Sequence, residues 1–249
     1  MSDYNPYSLG GKTILVTGAS SGIGRETAIQ CSKLGAKVII TARNAERLNE
    51  TFSQLDGKGH SMMTADLTEP EGKERVLGGI DKLNGVVLCA GKGLTSPFPF
   101  STRDKFNDVF DVNFFAPVEL LRLFIKTRRI EKDSSVVFVS SIGGTDLFSP
   151  GNGVYGASKA ALNSIMKYCA KELASKRIRV NSVNPGMVNT KLIQNGAFSE
   201  EQQRVDMEKY PLKRYGEPID IALGIVYLLS EASSWVTGHS LVIDGGITI

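Results

Sequence analysis

The stretch VYGASKAAL at 154–162 places two side chains suited to moving a proton, Tyr155 and Lys159, four apart in an alanine-rich run. A free phenol keeps its proton to a pKa of about 10. Four residues is about one helical turn, which brings the ammonium over the same helix face as the ring. A cation in that position favours the phenolate and would draw the phenol toward neutral pH. The spacing alone is equally compatible with a solvated surface pair, so the rest of the chain has to decide. A glycine turn, TGASSGIG at 17–24, supplies the second piece of chemistry. There Gly18 permits a tight turn, Gly22 lets the backbone approach a ligand, and Gly24 lets a helix pack closely on a sheet. The first-turn amides of that helix have no internal partners and its dipole favours an anion, so a pyrophosphate suits the site. The next strand ends in Arg43, where many dinucleotide folds place an acid for the ribose 2′-hydroxyl. A guanidinium there pairs with a 2′-phosphate, so NADP(H) is expected in preference to NAD.

These residues need a scaffold, and the pattern around them describes one. KTILVTG (12–18), AKVIITA (36–42), HSMMTAD (60–66), GVVLCAG (85–91), SSVVFVS (134–140), IRVNSV (178–183) and SLVID (240–244) read as strands. Helical patterns fall between them at 23–34, 44–55, 69–79, 101–128, 153–176 and 217–231. Continuous apolar strands alternating with helices imply a parallel sheet covered on both faces. The expected fold is a single doubly wound Rossmann-type α/β domain, with a mostly parallel seven-stranded sheet and helices on both faces. No linker, repeat or low-complexity tract divides 1–249, so one domain is expected. Residues 1–10 are expected to form an N-terminal tail, and the polar segment 190–218 is expected to overhang the carboxyl ends of the strands, as a lid or as a plain long connection.

Composition narrows the function classes. The chain has 249 residues, 41% hydrophobic and 22% charged, with 29 Lys+Arg against 26 Asp+Glu for a net charge of +3. That balance argues against a general nucleic-acid binder. Two basic clusters, Lys126, Arg128, Arg129 and Lys132, then Lys171, Lys176, Arg177 and Arg179, read as solvated ends of elements near acids. Cys31, Cys89 and Cys169 are scattered, as are His60 and His239, so neither a metal site nor a disulfide is expected. The N-terminus lacks the apolar stretch of a secretion signal. The longest apolar run, IALGIVYLL at 221–229, is too short to span a membrane, so a cytoplasmic location is expected.

With these pieces together, the sequence resembles the short-chain dehydrogenase/reductase family from about Gly11 to Gly246. The motifs that carry the likeness occur in order: TGASSGIG (17–24), ADL (65–67), CAG (89–91), VN (112–113), SSI (140–142), YGASK (155–159), NPGMVNT (184–190) and VTGHSLVIDGG (236–246). The resemblance implies a catalytic tetrad of Asn113, Ser141, Tyr155 and Lys159. Tyr155 would exchange the proton with the substrate oxygen. Lys159 would lower the phenol's pKa and hold the nicotinamide ribose. Ser141, the second serine of the strand-end pair, would hydrogen-bond the reacting oxygen, and Asn113 would anchor a water that relays protons toward Lys159. For the cofactor the resemblance implies Gly18, Ser20, Ser21, Gly22, Ile23 and Gly24 at the phosphates and Arg43 at the 2′-phosphate. It further implies Asp66 and Leu67 at the adenine, Ala90 and Gly91 at the ribose, and Pro185, Gly186, Val188 and Thr190 around the nicotinamide. The chain departs from the family in Leu88-Cys89-Ala90-Gly91, which replaces NNAG, and in a shorter stretch between Asp66 and Gly91.

Length, lid and the ending VTGHSLVIDGG most resemble the β-ketoacyl carrier-protein reductases, in which basic residues beside the active-site mouth receive an acidic carrier. Lys176 is the corresponding basic position here, so an acyl carrier protein is a candidate partner. Asp146 favours instead a hydroxylated substrate such as a polyol or sugar, and both readings stay open. A non-catalytic NADP-binding sensor is a third, opposed by the intact tetrad. By resemblance, the helix at 217–231 and the last strand would mediate a homotetramer or homodimer.

Overall fold

The structure is a computed structural model that describes residues 4–190 and 199–249. Seven strands form one sheet: β1 (Thr13–Thr17), β2 (Lys37–Ala42), β3 (Ser61–Thr64), β4 (Leu83–Leu88), β5 (Ile130–Val139), β6 (Arg179–Pro185) and β7 (Ser240–Ile243). Their order is β3-β2-β1-β4-β5-β6-β7. Every pairing is parallel, with Val16 opposite Val87 and Ile40, and Val137 opposite Val87 and Asn181. The mostly parallel sheet expected from the sequence is therefore parallel throughout. The order reverses between β1 and β4, and at such a switch the loops leaving the two strands part and open a crevice at their carboxyl ends.

Eight α-helices are described: α1 (Gly22–Lys33), α2 (Ala45–Phe52), α3 (Pro70–Gly78), α4 (Arg103–Phe110), α5 (Ala116–Lys126), α6 (Gly153–Leu173), α7 (Glu200–Met207) and α8 (Pro218–Leu229). They bury the sheet from both sides. On one face Leu15, Val86, Val136 and Phe138 pack with Leu120, Phe124, Leu162 and Met166 of α5 and α6. On the other, Ile14, Val16, Val87 and Val137 pack with Ala28 and Cys31 of α1 and with Ile221 and Ile225 of α8. Adjacent strand residues serve opposite layers, so the central strands are apolar on both faces.

Two departures from the sequence pattern bear on the site. The helix expected over 101–128 is interrupted by a π-helical turn at Asp111–Phe115. Pro117 explains it, because proline has no N–H for the Asn113 carbonyl and its ring crowds that position. Ala116 N–H then bonds to the Asp111 carbonyl, five residues back. The expected lid at 190–218 is described from Ser199 onward, and residues 191–198 lie outside the described residues. Ser199 and Gln202 cap α7 reciprocally. Beyond it Tyr210 and Tyr215 are buried edge to face, and Tyr215 Oη donates to Asp206 at 2.9 Å. Leu212 N–H bonds the Gly245 carbonyl at 3.2 Å and Gly216 N–H the Met187 carbonyl at 2.9 Å, so the second half of the segment is anchored to the body of the protein.

Candidate active site

The end of β5 and the first turns of α6 bring the proton-handling residues together. Side chains alternate along an extended chain, so Ser140 and Ser141 face different ways. Ser140 Oγ is buried and donates to the Lys159 carbonyl at 3.0 Å, which pins α6 to the sheet. Ser141 Oγ accepts the Gly143 N–H at 3.0 Å and hydrogen-bonds the Tyr155 phenol. Of the two serines, Ser141 is the one brought to the tyrosine.

Lys159 is buried, and its ammonium donates to the Val139 carbonyl at 2.8 Å while lying 5.8 Å from the Tyr155 ring centre. Burial brings the Lys159 pKa down to about 8, against a smaller opposing effect of the Cys89 thiol. Burial also pushes the Tyr155 phenol up, while its Ser141 hydrogen bond pulls it down. The lowering expected from Lys159 is supplied here by Ser141, and it falls short of the effect of desolvation. The lysine ammonium is held on a main-chain carbonyl beside the phenol.

Asn113 is fully buried in the π-helical turn. Its Oδ1 accepts from Lys92 N–H at 2.8 Å, and its Nδ2 donates to the Lys92 carbonyl and to Ser158 Oγ, both at 3.0 Å. Ser158 Oγ in turn donates to the Tyr155 carbonyl at 2.7 Å. Both amide hydrogens are therefore spent on holding the chain after β4 against α6. Gly91 lies between these groups. A Cβ there would come within 3.3 Å of Asn113 Oδ1 and 3.4 Å of Lys159 Nζ.

The glycine turn follows β1 at the same end of the sheet. Gly18 has φ +67°, and a Cβ on it would lie 2.8 Å from the Ala90 backbone. Gly24 presses on Gly18, where a Cβ would be 2.4 Å from its carbonyl oxygen. Gly22 has φ +54°, and a Cβ on it would lie 3.0 Å from the Thr190 methyl. Ser21 occupies the N-cap of α1 without a side-chain capping bond, and no acid stands in the first turn. The amides around Ser20, Ser21, Gly22 and Ile23 thus meet the requirements of a phosphate site. Arg43 reaches toward Asp66 at 3.7 Å and is two-thirds exposed, so its guanidinium is only loosely held. Asp66 accepts from the Thr68 amide and hydroxyl at 3.0 and 2.7 Å. Together with Arg43 these bonds outweigh burial and keep its carboxyl below the usual range. Leu67 is buried beside it. Across the crevice Pro185 ends β6. Gly186 N–H bonds the Ile243 carbonyl at 3.0 Å, and Val188 is buried with Thr190 close behind. The space kept by Gly22 and Gly91, with uncapped amides between, fits a dinucleotide running from Arg43 to Lys159.

The family model described as enoyl-(acyl carrier protein) reductase matches residues 18–248. The chain belongs to the short-chain dehydrogenase/reductase family. It is 34% identical over 239 residues to the 3-oxoacyl-[acyl-carrier-protein] reductase FabG of Rickettsia bellii, covering 96% of this chain and 98% of the relative. It is 32% identical over 255 residues to a tropinone reductase homologue of Arabidopsis thaliana, covering 99% and 94%. Among solved structures, a dehydrogenase/reductase from Sinorhizobium meliloti 1021 is 33% identical, with 98% of each chain covered and a TM-score of 0.89. A further structure, from Agrobacterium tumefaciens with bound NADP, is 28% identical, covers 98% of this chain and 99% of its own, and has a TM-score of 0.88. The protein is thus an oxidoreductase of this family.

One sequence expectation meets a different geometry. Lys176 follows the far end of α6. Leu173 is already about 27 Å along the helix from Tyr155 at 1.5 Å per residue, so on its own chain Lys176 is not beside the mouth. Asp146 is exposed on the loop after Ser141 and accepts from its neighbour Thr145 at 2.7 Å. Two contributors escaped the sequence reading. Buried Thr17 Oγ1 accepts the amides of Cys89 and Ala90 at 3.0 and 3.2 Å, tying β1 to the strand-end chain. Arg25 donates to the Ser20 carbonyl at 2.8 Å and to Thr51 Oγ1 at 3.0 Å, bracing the glycine turn. A polar residue closing an apolar strand was the available signal for Thr17; Arg25 had none. Among the described residues no group of three His, Cys, Asp or Glu could hold a metal ion, and no helix is long and apolar enough to cross a membrane.

Proposed function

We propose that the protein reduces a ketone with NADPH, with 3-oxoacyl thioesters as its preferred substrate class. The observation that carries this reading is the meeting of Ser141, Tyr155, Lys159 and Asn113 at the carboxyl end of the sheet, next to an uncapped helix N-terminus. A bound nicotinamide supplies the hydride. The chain supplies the rest. Ser141 accepts from Gly143 and donates to the Tyr155 phenol, and on substrate binding that hydroxyl hydrogen would turn to stabilise charge building on the substrate oxygen. Tyr155, protonated because burial holds its pKa up, delivers the proton. Lys159 is placed to hold ribose hydroxyls, and its pKa of about 8 lets it exchange protons near neutral pH. Arg43, loosely engaged with Asp66, is available to a 2′-phosphate.

The acyl-thioester reading draws on the likeness to the Rickettsia bellii reductase and on the apolar side chains of the loops leaving β4 and β5. Phe98 and Phe148 are 81% and 77% exposed there, and the loops are joined by Ser96 N–H to the Gly151 carbonyl at 2.8 Å. The test is a steady-state panel of acetoacetyl thioesters, ketoses and simple ketones with NADPH. Wild-type protein should turn over the thioesters best, and Tyr155→Phe should lose about a thousandfold in kcat while binding NADPH normally. Near-normal turnover by that variant removes the acid role. A folded, NADPH-binding wild type inert on the whole panel restores the sensor reading.

A further inference from the structure

The glycine turn is tied to the segment that carries Arg43 on both sides of that residue. Before it, Ala19 N–H bonds the Thr41 carbonyl at 3.3 Å. After it, the buried Thr51 hydroxyl donates to the Ala19 carbonyl at 2.9 Å, and Arg25 donates to the Ser20 carbonyl at 2.8 Å. The same guanidinium grips α2. Its Nε donates to Thr51 Oγ1 at 3.0 Å, and its Nη2 to Glu50 at 2.9 Å and to the Arg47 carbonyl at 3.3 Å. Asn44 caps α2 by accepting Arg47 N–H at 2.8 Å, so the helix that Arg25 holds begins two residues after Arg43.

These bonds aim amides as well as fixing the path of the chain. A trans peptide points its N–H opposite to its carbonyl. The carbonyls of Ala19 and Ser20 are drawn toward α2, so the Ser20 and Ser21 amides are turned the other way. Neither amide has a hydrogen-bond partner among the described residues. Glu50 matches the charge of Arg25, which leaves holding rather than attracting as the part this arginine plays. We infer that Arg25 is a positioning residue for the dinucleotide. It sets the pyrophosphate amides of Ser20 and Ser21 and the 2′-phosphate cation Arg43 in one frame. The inference rests on the NADPH reading and adds the group that prearranges both phosphate sites. Donors fixed in advance spare the ligand the cost of ordering them.

The experiment measures Kd for NADPH and NADH on the full chain by fluorescence titration, with circular dichroism reporting the fold. Arg25→Lys keeps the charge but cannot span Ser20, Thr51 and Glu50 together. It should weaken both dinucleotides about tenfold, and the loss should persist in high salt. Thr51→Val keeps the shape and removes the hydroxyl that holds Ala19, and it should weaken both about threefold. Joined to Arg43→Ala, Arg25→Lys should cost NADPH less than the product of the two single losses, because part of its effect runs through Arg43. An Arg25→Lys protein that binds both dinucleotides like wild type, the signature of a merely structural residue, overturns the inference. A loss confined to NADPH that vanishes in salt marks a distant cation and overturns it too, and losses that simply multiply overturn the single frame. Should Arg25→Lys fail to fold, unchanged affinities in Thr51→Val overturn it instead. In each of these cases wild type still binds NADPH and that reading stands. A wild type that binds neither dinucleotide overturns both.

Discussion

At one end of α6 the Lys159 ammonium is buried against the Val139 carbonyl, while just past the other Arg177 pairs with Asp133 in open solvent. The same contrast holds across the sheet. At the carboxyl ends of the strands the polar groups Asn113, Ser140, Ser158 and Lys159 are buried and bonded to one another or to backbone. At the amino ends the charges are matched pairs on the surface, Lys82 with Glu131 and Arg129 with Asp81, each at 3.3 Å. Exposed pairs are screened and contribute little to stability. Buried groups carry the full effect of desolvation, and that effect moves a pKa into the range where protons are exchanged. One helix thus joins a region spent on chemistry to a region spent on solubility.

Replacing the buried cation should produce the largest change. Lys159→Met keeps most of the volume and removes the charge, and turnover should fall by about a hundredfold or more. Stability should move the other way. Lys159 has a folded pKa of about 8 against an ordinary 10.5, so between those values the unfolded chain binds more protons. The penalty for the buried charge is full below pH 8 and is relieved as pH rises toward 10.5. It amounts to about 3 kcal/mol, offset by about 1 kcal/mol for the lost bond to Val139. Lys159→Met should therefore be more stable than wild type at pH 7, with the gap closing by pH 10 in urea titrations. A variant that is less stable at pH 7, by an amount independent of pH, would break the contrast between the two ends.

Arg43 sharpens the comparison because it is exposed like the far-end cations yet stands at the carboxyl end of β2. If place in the fold decides, Arg43→Ala should weaken NADPH binding about 10- to 100-fold and leave NADH within about twofold. Calorimetric titration with each dinucleotide checks this. Equal weakening of both, or of neither, would mean that Arg43 behaves as an ordinary surface cation.

The sheet and the glycine turn were legible because their signals are local: continuous apolar runs for β1, β2 and β5, and glycines where a Cβ would strike Ala90 or the Gly18 carbonyl. Other features depended on three-dimensional placement. Ser140 and Ser141 differ only in the face of the chain they present, and only the packed α6 reveals that Ser140 is committed to the Lys159 carbonyl. The spacing of Tyr155 and Lys159 predicted a shared helix face and said nothing of the Val139 carbonyl that claims the ammonium. The break at Asn113 was written in Pro117, but a helix pattern on both sides concealed it. Lys176 stands just past α6, whose 21 residues already carry it away from Tyr155.

The smallest effect belongs to the far end. Arg177 makes a bidentate pair with Asp133, and that pair holds the Asp133 carboxyl below and the guanidinium above their ordinary pKa values. Both side chains are more than half exposed, so the shifts reflect contact rather than desolvation. Arg177 also sits in the left-handed region at φ +54°, a conformation no less awkward for glutamine than for arginine. Arg177→Gln therefore isolates the charge. It should lower the thermal midpoint by no more than about 2 °C at low salt, and the difference should shrink further in high salt. The kcat/KM for the preferred ketone should stay at the wild-type value. A loss of activity from this substitution would show that the amino ends of the strands reach the chemistry through α6, and the division of labour along that helix would have to be abandoned.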